Sequence, residues 1–330
     1  MYKIKSIPED FIVEEIAYHT ISEGGNFALV SMKKVNYDTV RAIQHIANAL
    51  KIPPKFIGFA GNKDKRAVTT QFISIMDVSS EKIKKINLKD IKLDYIGQID
   101  ERINLGDLKG NRFKIIIRDV SEDFLSDDID LSKIPNYFGE QRFSTNNSLI
   151  GKYILTSKFK DAVFLIREGR ENDLSIIKEH LKNNPNDYVG AIRKFPKTIQ
   201  KFYVHAFQSD LWNKAVDRYL ENNPDTNNFD FPIIGFDSEF NDHKIEEIYD
   251  EILNEENMNL RSFIVRQIPE LSVDGTVRKI FLEPHDFELK EFVDDKNKNK
   301  KKIILNFWLE KSCYATTLIK HIFSSKNFND

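Results

Sequence analysis

The chain of 330 residues has one cysteine, Cys313. A lone thiol excludes an internal disulfide and any zinc site built from several cysteines. The seven histidines are scattered, with no pair at metal-ligand spacing, which argues against a metalloenzyme. No apolar stretch approaches the roughly 20 residues that span a bilayer. The opening Met1-Tyr2-Lys3-Ile4-Lys5 lacks the apolar core of a signal peptide, so a reducing cytoplasm is the expected location. No Gly-x-x-x-x-Gly-Lys-Ser/Thr loop is present to cradle phosphates. Asn62-Lys63-Asp64 resembles the guanine-reading Asn-Lys-x-Asp of GTPases, but the Asp comes one residue too early, and the nucleoside-triphosphate reading fails. A surplus of one charge is also missing: 49 Lys and Arg stand against 51 Asp and Glu, a net charge of −2. That balance is unlike a general nucleic-acid binder.

What is present is unevenly distributed. From Asp225 to Glu256 the only Lys or Arg is Lys244, while basic groups recur at Lys63–Arg66, Lys109–Arg118, Arg193–Lys201 and Lys296–Lys302. Such segregation is compatible with one basic face and one acidic lobe. Residues 1–120 read as mixed α/β. Phe11–Val13 and Phe27–Val30 are strand candidates around a Gly24-Gly25 turn. Asp38 or Thr39 caps a helix with Val40, Ile43, Ile46, Ala47 and Leu50 inward. Phe56–Ala60, Phe72–Met76, Ile91–Ile96 and Phe113–Ile117 are further strands. From about Ser148 helical periodicity takes over, with Tyr203–Leu220 and Asp242–Asn254 the clearest helices. Strand character returns near Val277 and at Lys302–Leu309, where 296–302 forms a solvated hairpin tip, and Thr316–Phe323 forms a last helix. This order predicts an inserted domain whose two flanks belong together.

Chemistry concentrates in Gly58-Phe-Ala-Gly-Asn-Lys-Asp64-Lys-Arg-Ala-Val-Thr-Thr-Gln71. It sets one carboxylate among Lys63, Lys65 and Arg66, between two apolar runs. Nearby cations keep a carboxylate ionised, as an aspartate nucleophile requires, and they attract a polyanion. The same run also reads as an ordinary β-turn with a solvated charge cluster. Four more segments present aromatics, amides or cations at turns: Pro8–Glu15, Leu105–Phe113, Pro135–Phe143 and Phe307–Thr317. Amides, Arg and aromatics in loops are what reading an extruded base requires.

Taken together, Asn62-Lys-Asp64-Lys-Arg-Ala-Val-Thr-Thr-Gln71, Asn136-Tyr-Phe-Gly-Glu-Gln-Arg-Phe143 and His205-Ala-Phe-Gln-Ser-Asp-Leu-Trp-Asn213 resemble the TruD family of tRNA pseudouridine synthases, in family order and over nearly the whole chain. The resemblance implies an α+β fold. A pseudouridine-synthase catalytic domain, with a mixed, largely antiparallel sheet flanked by helices, is interrupted by a mainly helical insertion domain. The expected bounds are 1–156 with 275–330 for the catalytic domain and 157–274 for the insertion. The implied reaction converts a tRNA uridine, at position 13 in the D arm, to pseudouridine without cofactor or metal. Asp64 matches the catalytic aspartate, while Phe11, Asn136 and Tyr314 match residues contacting the target base. Catalytic support for Asp64 is expected from Lys5 first, with Lys63 its neighbour and Lys320 a third candidate. Lys65, Arg66, Arg112 and Arg142 are candidate RNA contacts, and Gln208, Ser209 and Asn213 are expected to brace the junction between domains. Two positions depart from the family pattern: Ser144 replaces a usual Gly, and Lys320 a usual Arg. Expected partners are tRNA and, as a second class, other RNAs, with no membrane and no obligate protein partner, the chain acting as a monomer. The rival reading is a non-catalytic RNA-binding or RNA-chaperone protein on the same scaffold. A metal- or nucleotide-dependent hydrolase has no ligand set here.

Overall fold

A computed structural model describes residues 2–121, 129–143, 146–167 and 171–324. The chain divides into two compact units: residues 1–132, 283–318 and 322–330 form the first, and 133–282 with 319–321 the second.

The first unit is built on an eight-stranded sheet. Its strands are β1 (Phe11–Ile16), β2 (Phe27–Val35), β3 (Ile57–Phe59), β4 (Val68–Met76), β5 (Ile91–Ile99), β6 (Gly110–Val120), and, after helices and strands of the second unit, β11 (His285–Val293) and β12 (Lys301–Glu310). The order is β11-β12-β6-β1-β4-β2-β5, with β3 on β4. Every pairing is antiparallel except β1 with β4, which run parallel with Ile12 beside Val68. Parallel neighbours start at the same end of a sheet. The residues just ahead of β1 and those just ahead of β4 therefore emerge together, although about 57 positions separate them in sequence. The first group carries Lys5 and the second carries Asp64.

Period-two alternation explains the sheet. Phe11 and Val13 of β1, Phe113, Ile115 and Ile117 of β6, and Ile303, Leu305, Phe307 and Leu309 of β12 are buried on one face. Helix α1 (Thr39–Leu50) is capped by the Asp38 carboxylate, which accepts from the Arg41 N–H at 2.9 Å, and ends on left-handed Lys51. It packs Ile43, Ile46 and Ala47 on Ala28, Val30, Met32, Ile73 and Ile75. Val40, expected inward, is 58% exposed. It lies in the first turn, rotated off the stripe that Ala42, Ile43, Ile46 and Ala47 make. A short α2 (Ser80–Lys84) packs beside β5, and a final α9 (Ala315–Ser324) follows β12, its residues 319–321 counted in the second unit. Strand β11 was not foreseen, because His285–Val293 alternates charge with half-buried apolar residues at the sheet edge.

The second unit is mainly helical: α3 (Asn147–Leu155), α4 (Phe159–Arg167), α5 (Glu171–Asn183), α6 (Tyr188–Arg193), the long α7 (Lys197–Asn222) and α8 (His243–Glu255). Two small strand pairs accompany them, β7 (Ile134–Pro135) with β10 (Phe281–Leu282) and β8 (Asp230–Ile233) with β9 (Thr276–Lys279). Helix α7 buries Tyr203, Phe207, Leu211, Trp212, Ala215, Val216 and Tyr219 along one stripe. Gly151 allows α3 to cross it closely, since a Cβ there would sit 2.1 Å from the Tyr203 carbonyl oxygen.

One buried ionic cluster fixes the N-terminal segment of the first unit. Arg118 of β6 donates from Nε to both oxygens of Asp10 at 3.0 Å, and from Nη1 to Asp294 and Asp295 at 3.0 Å. Asp10 also accepts the Ile7 N–H, and Lys3 pairs by backbone with Arg118. Burial opposes the charge on Asp294. The N–H donors of Asn297, Asp119 and Lys296, together with Arg118, outweigh it and hold the carboxyl at about 2. Arg118→Met should cost about 3–5 kcal/mol, because it leaves Asp10 and Asp294 buried without a cation. Urea denaturation at pH 7 measures this. A depressed carboxyl stabilises above its free value of 3.8 and ceases to as pH falls through about 2. The wild-type advantage over Arg118→Met should therefore shrink between those two pH values.

Candidate active site

Asp64 lies on the loop between β3 and β4 with its side chain 39% exposed. Its Oδ2 is 2.9 Å from Nζ of Lys5, a side chain only 12% exposed. Lys5 has φ +56°, a left-handed conformation that costs a non-glycine residue energy. Its ammonium also sits 4.2 Å from the centre of the Phe11 ring. A cation over an aromatic face and against a carboxylate is held from two sides. The arrangement offers a partly open carboxylate with a fixed counter-ion, suited to act as a nucleophile or base.

Three fully buried polar side chains hold the loop's backbone: Lys34 on β2, Thr39 at the start of α1 and Gln71 on β4. Lys34 Nζ donates to the carbonyls of Asp64 (3.2 Å), Lys63 (3.4 Å) and Tyr37 (2.6 Å). Thr39 Oγ1 accepts the Lys63 N–H at 3.0 Å and donates to Gln71 Oε1 at 3.2 Å, while Gln71 Nε2 donates to the Gly61 carbonyl at 3.1 Å. None of the three was singled out from sequence as a loop support. The signal was available: Ala28, Val30, Met32 and Lys34 are successive members of one strand face, as are Gln71, Ile73 and Ile75.

The cations next to Asp64 in sequence do not serve it. Lys63 is buried, and a buried ammonium needs a counter-charge, which it finds in Glu15 at 2.7 Å, with Asn111 Oδ1 at 2.6 Å. Its ammonium thus lies on Glu15, whereas direct support of the Asp64 carboxylate was expected of it. Lys65 and Arg66 point to solvent, and Arg66 reaches the Ser6 carbonyl at 3.2 Å. Arg112 is exposed beside Asp286 at 3.4 Å. Phe11, expected to contact a base, is 2% exposed with Lys5 over its ring and Phe113 at its edge. In this arrangement it backs Lys5, and a base reaches its face only if Lys5 shifts. Tyr314 is half-buried, and its carbonyl accepts the Thr317 N–H at the start of α9.

The remaining candidates belong to the second unit. Asn136 is buried, its Oδ1 accepting from Arg278 Nη2 at 2.8 Å and its Nδ2 donating to the Lys279 carbonyl at 3.1 Å. Arg278, missed from sequence, also donates from Nε to the Asn136 carbonyl at 2.8 Å and lies 4.1 Å over the Phe138 ring. Arg142 donates to Ser209 Oγ at 2.9 Å, and its guanidinium lies 5.2 Å from the Phe138 ring and 5.8 Å from that of Phe202. Asn213 holds the Phe138 backbone through N–H and carbonyl, and Gln208 donates to Ile234 and Asp274 carbonyls. These α7 amides thus brace loops of the second unit. Lys320 pairs with Glu140 at 2.8 Å. Ser144 lies outside the described residues. Among the described residues no cluster of His, Cys, Asp or Glu suits a metal ion, and no helix is long and apolar enough to cross a membrane.

The family model for tRNA pseudouridine synthase D (TruD) matches residues 2–173, 171–230 and 224–322. A relative in Methanosarcina acetivorans named "Probable tRNA pseudouridine synthase D" is 31% identical, covering 96% of this chain and 91% of its own. The "tRNA pseudouridine synthase D" of Aquifex aeolicus is 28% identical, with 98% of each chain covered. The crystal structure of a TruD protein from Methanosarcina mazei matches with a TM-score of 0.74 at 29% identity, over 98% of this chain and 93% of that one.

The loop support makes a prediction independent of any reaction. Thr39→Val leaves the Lys63 N–H without its acceptor and the Gln71 amide oxygen without a donor. It should cost about 1–3 kcal/mol in urea denaturation. The Lys63 amide should also exchange with deuterium faster than in the wild type, while core β4 amides keep their protection.

Proposed function

The chain belongs to the TruD family of tRNA pseudouridine synthases, and on that premise we propose that it isomerises a tRNA uridine, at position 13 in the D arm, with Asp64 as the nucleophile. The observation that carries this reading is the pairing of Asp64 with Lys5 on a loop held by buried donors. The reaction breaks the N1–C1′ bond, turns the uracil over and joins C5 to C1′, with the C5 proton lost and N1 regaining one. Attack on C1′, attack on C6 and removal of a ribose proton all require an ionised carboxylate in a fixed place. Lys5 supplies both the counter-charge and the placement.

The detached base must be kept from leaving. Tyr314, half-buried in the first unit, offers a ring for it to stack on. Asn136, the other residue matched to base contact, belongs to the second unit, is 1% exposed and has its amide held by Arg278 and the Lys279 carbonyl. The Arg142–Phe138 contact joins a guanidinium to an aromatic face, a pairing that suits RNA. Lys65, Arg66 and Arg112 are exposed cations for its phosphates. Residues 1–156 with 275–330 serve as the catalytic domain and 157–274 as the insertion; in support, every strand of the large sheet falls within 11–120 or 285–310.

Carbodiimide mapping of an unmodified tRNA transcript tests the reading. Wild type should create a new stop in the D arm in the presence of chelator. Asp64→Asn should lose product formation by about 10³-fold or more while still binding tRNA. Lys5→Met, which keeps an apolar stem over Phe11, should slow the reaction about 10²-fold with little change in affinity. A folded wild type that binds tRNA and leaves no pseudouridine would favour the RNA-binding reading instead.

A further inference from the structure

Lys34 occupies a place that an apolar residue would fill at less cost. It follows Ala28, Val30 and Met32 on the buried face of β2, and its own side chain is fully buried. In register it faces Thr69 of β4 and Ile91 of β5, neither of them charged. No carboxylate lies at ion-pair distance among the described residues. Its polar partners are the three carbonyls of Tyr37, Lys63 and Asp64. A buried ammonium without a direct counter-ion costs several kcal/mol unless hydrogen bonds offset it. All three of its donors are spent on the Asp64 loop and the turn before α1.

We propose that Lys34 is a positioning residue for Asp64: its ammonium fixes the peptide that carries the carboxylate and places a positive charge beneath it. This rests on Asp64 being the reacting group. Only the protonated form fits the role. A neutral amine has two N–H groups for three carbonyls and would turn its lone pair toward an oxygen. Burial is the main cause that leaves Lys34 at a net value of about 8. Asp38 at the α1 cap and Asp64 on the loop pull it up, and Lys63 pushes it further down. Gln71 and Thr39, the other polar side chains at the loop, are neutral.

These facts give opposite pH trends for stability and rate. The Lys34 folded value lies below its free value of 10.5, so the burial cost is present below pH 8 and is relieved as pH rises from 8 toward 10.5. Wild type should gain stability relative to Lys34→Met across that window. Its rate should fall across the same window, because the positioning form is disappearing. The stability trend follows from burial alone, so the rate trend is the one that distinguishes the roles: a side chain that only filled space would leave the rate flat.

The experiment uses the full chain and an unmodified tRNA transcript, with single-turnover rates from about pH 6.5 to 9. Wild type, Lys34→Met and Asp64→Asn are compared, with tRNA affinity and urea stability measured alongside. Lys34→Met should be about 10- to 100-fold slower at pH 7 with affinity within about twofold. Wild type should slow roughly tenfold by pH 9, following one group with a value near 8, while Lys34→Met stays flat. Should Lys34→Met not fold, γ-thialysine at position 34, which is less basic than lysine, should move the alkaline fall to lower pH. Lys34→Met at the wild-type rate, an alkaline fall retained in it, or an unmoved fall with γ-thialysine overturns the proposal. Asp64→Asn at full rate would overturn the nucleophile, and Lys34 with it. Asp64→Asn without product beside a fast Lys34→Met overturns Lys34 alone.

Discussion

The parallel pairing of β1 with β4 is the constraint on which the candidate site depends. In an otherwise antiparallel sheet, it is the one junction where two chain segments enter from the same end. Lys5 and Asp64 meet because both precede those strands by a few residues. Neither residue's local sequence foretells the other. The pairing in turn depends on the core beneath it, since a slip of one residue would carry Phe11 and Val13 to the solvent face. The ionic cluster of Arg118, Asp10 and Asp294 adds a second restraint, fastening the turn between Lys5 and β1 to the end of β6.

Around that junction the protein buries six polar or charged side chains: Lys34, Thr39, Gln71, Glu15, Asp10 and Arg118. Apolar residues of similar volume would stabilise the fold as well or better, because charges and amides lose water on burial. What polar residues add is direction. A carbonyl fixed by an ammonium, or an N–H fixed by a hydroxyl, has one favourable position, whereas a loop held by apolar contacts has many. The gradient from buried cations to a carboxylate 39% exposed places the charge of the site where a substrate can reach it.

Periodicity made the skeleton legible. The strands at 27–30, 72–76, 91–96 and 302–309 and the helix near 203–220 lie within observed elements, and the helix near 242–254 matches α8 from its cap residue Asp242 on, because their apolar spacing is dictated by burial. The same reasoning lost β11, whose edge position leaves it few apolar residues to signal with. It also placed Val40 inward, although a first-turn residue can rotate off the stripe. For the candidate site, the sequence marked the loop and its carboxylate, and the family resemblance put Lys5 first among its partners, but the cations adjacent in sequence were grouped with Asp64 as well. Adjacent lysines look like partners of Asp64 in one dimension. In three, Lys63 is drawn to Glu15 by the need to neutralise a buried ammonium, and Lys5 arrives from the N-terminus. Lys34 was readable as a lysine in phase with buried residues, a pattern that carries meaning because a lysine is so rarely fully buried.

The net charge of −2 weighs less against an RNA substrate once the pairing within the second unit is followed. The C-terminal end of the acidic stretch is used internally. Glu256 accepts from Lys152 at 2.6 Å and Lys214 at 2.8 Å, and Arg218 meets Glu255 at 2.6 Å and Glu251 at 3.5 Å. These contacts join α8 to α3 and α7 and neutralise charge that the composition counts as free. Lys194, Lys197 and Lys201 have no such partners among the described residues and are exposed. Polyanion binding depends on local cations that release counter-ions, not on the sum over the chain. A protein can therefore be acidic by count and still present a basic surface, provided its acids face its own helices.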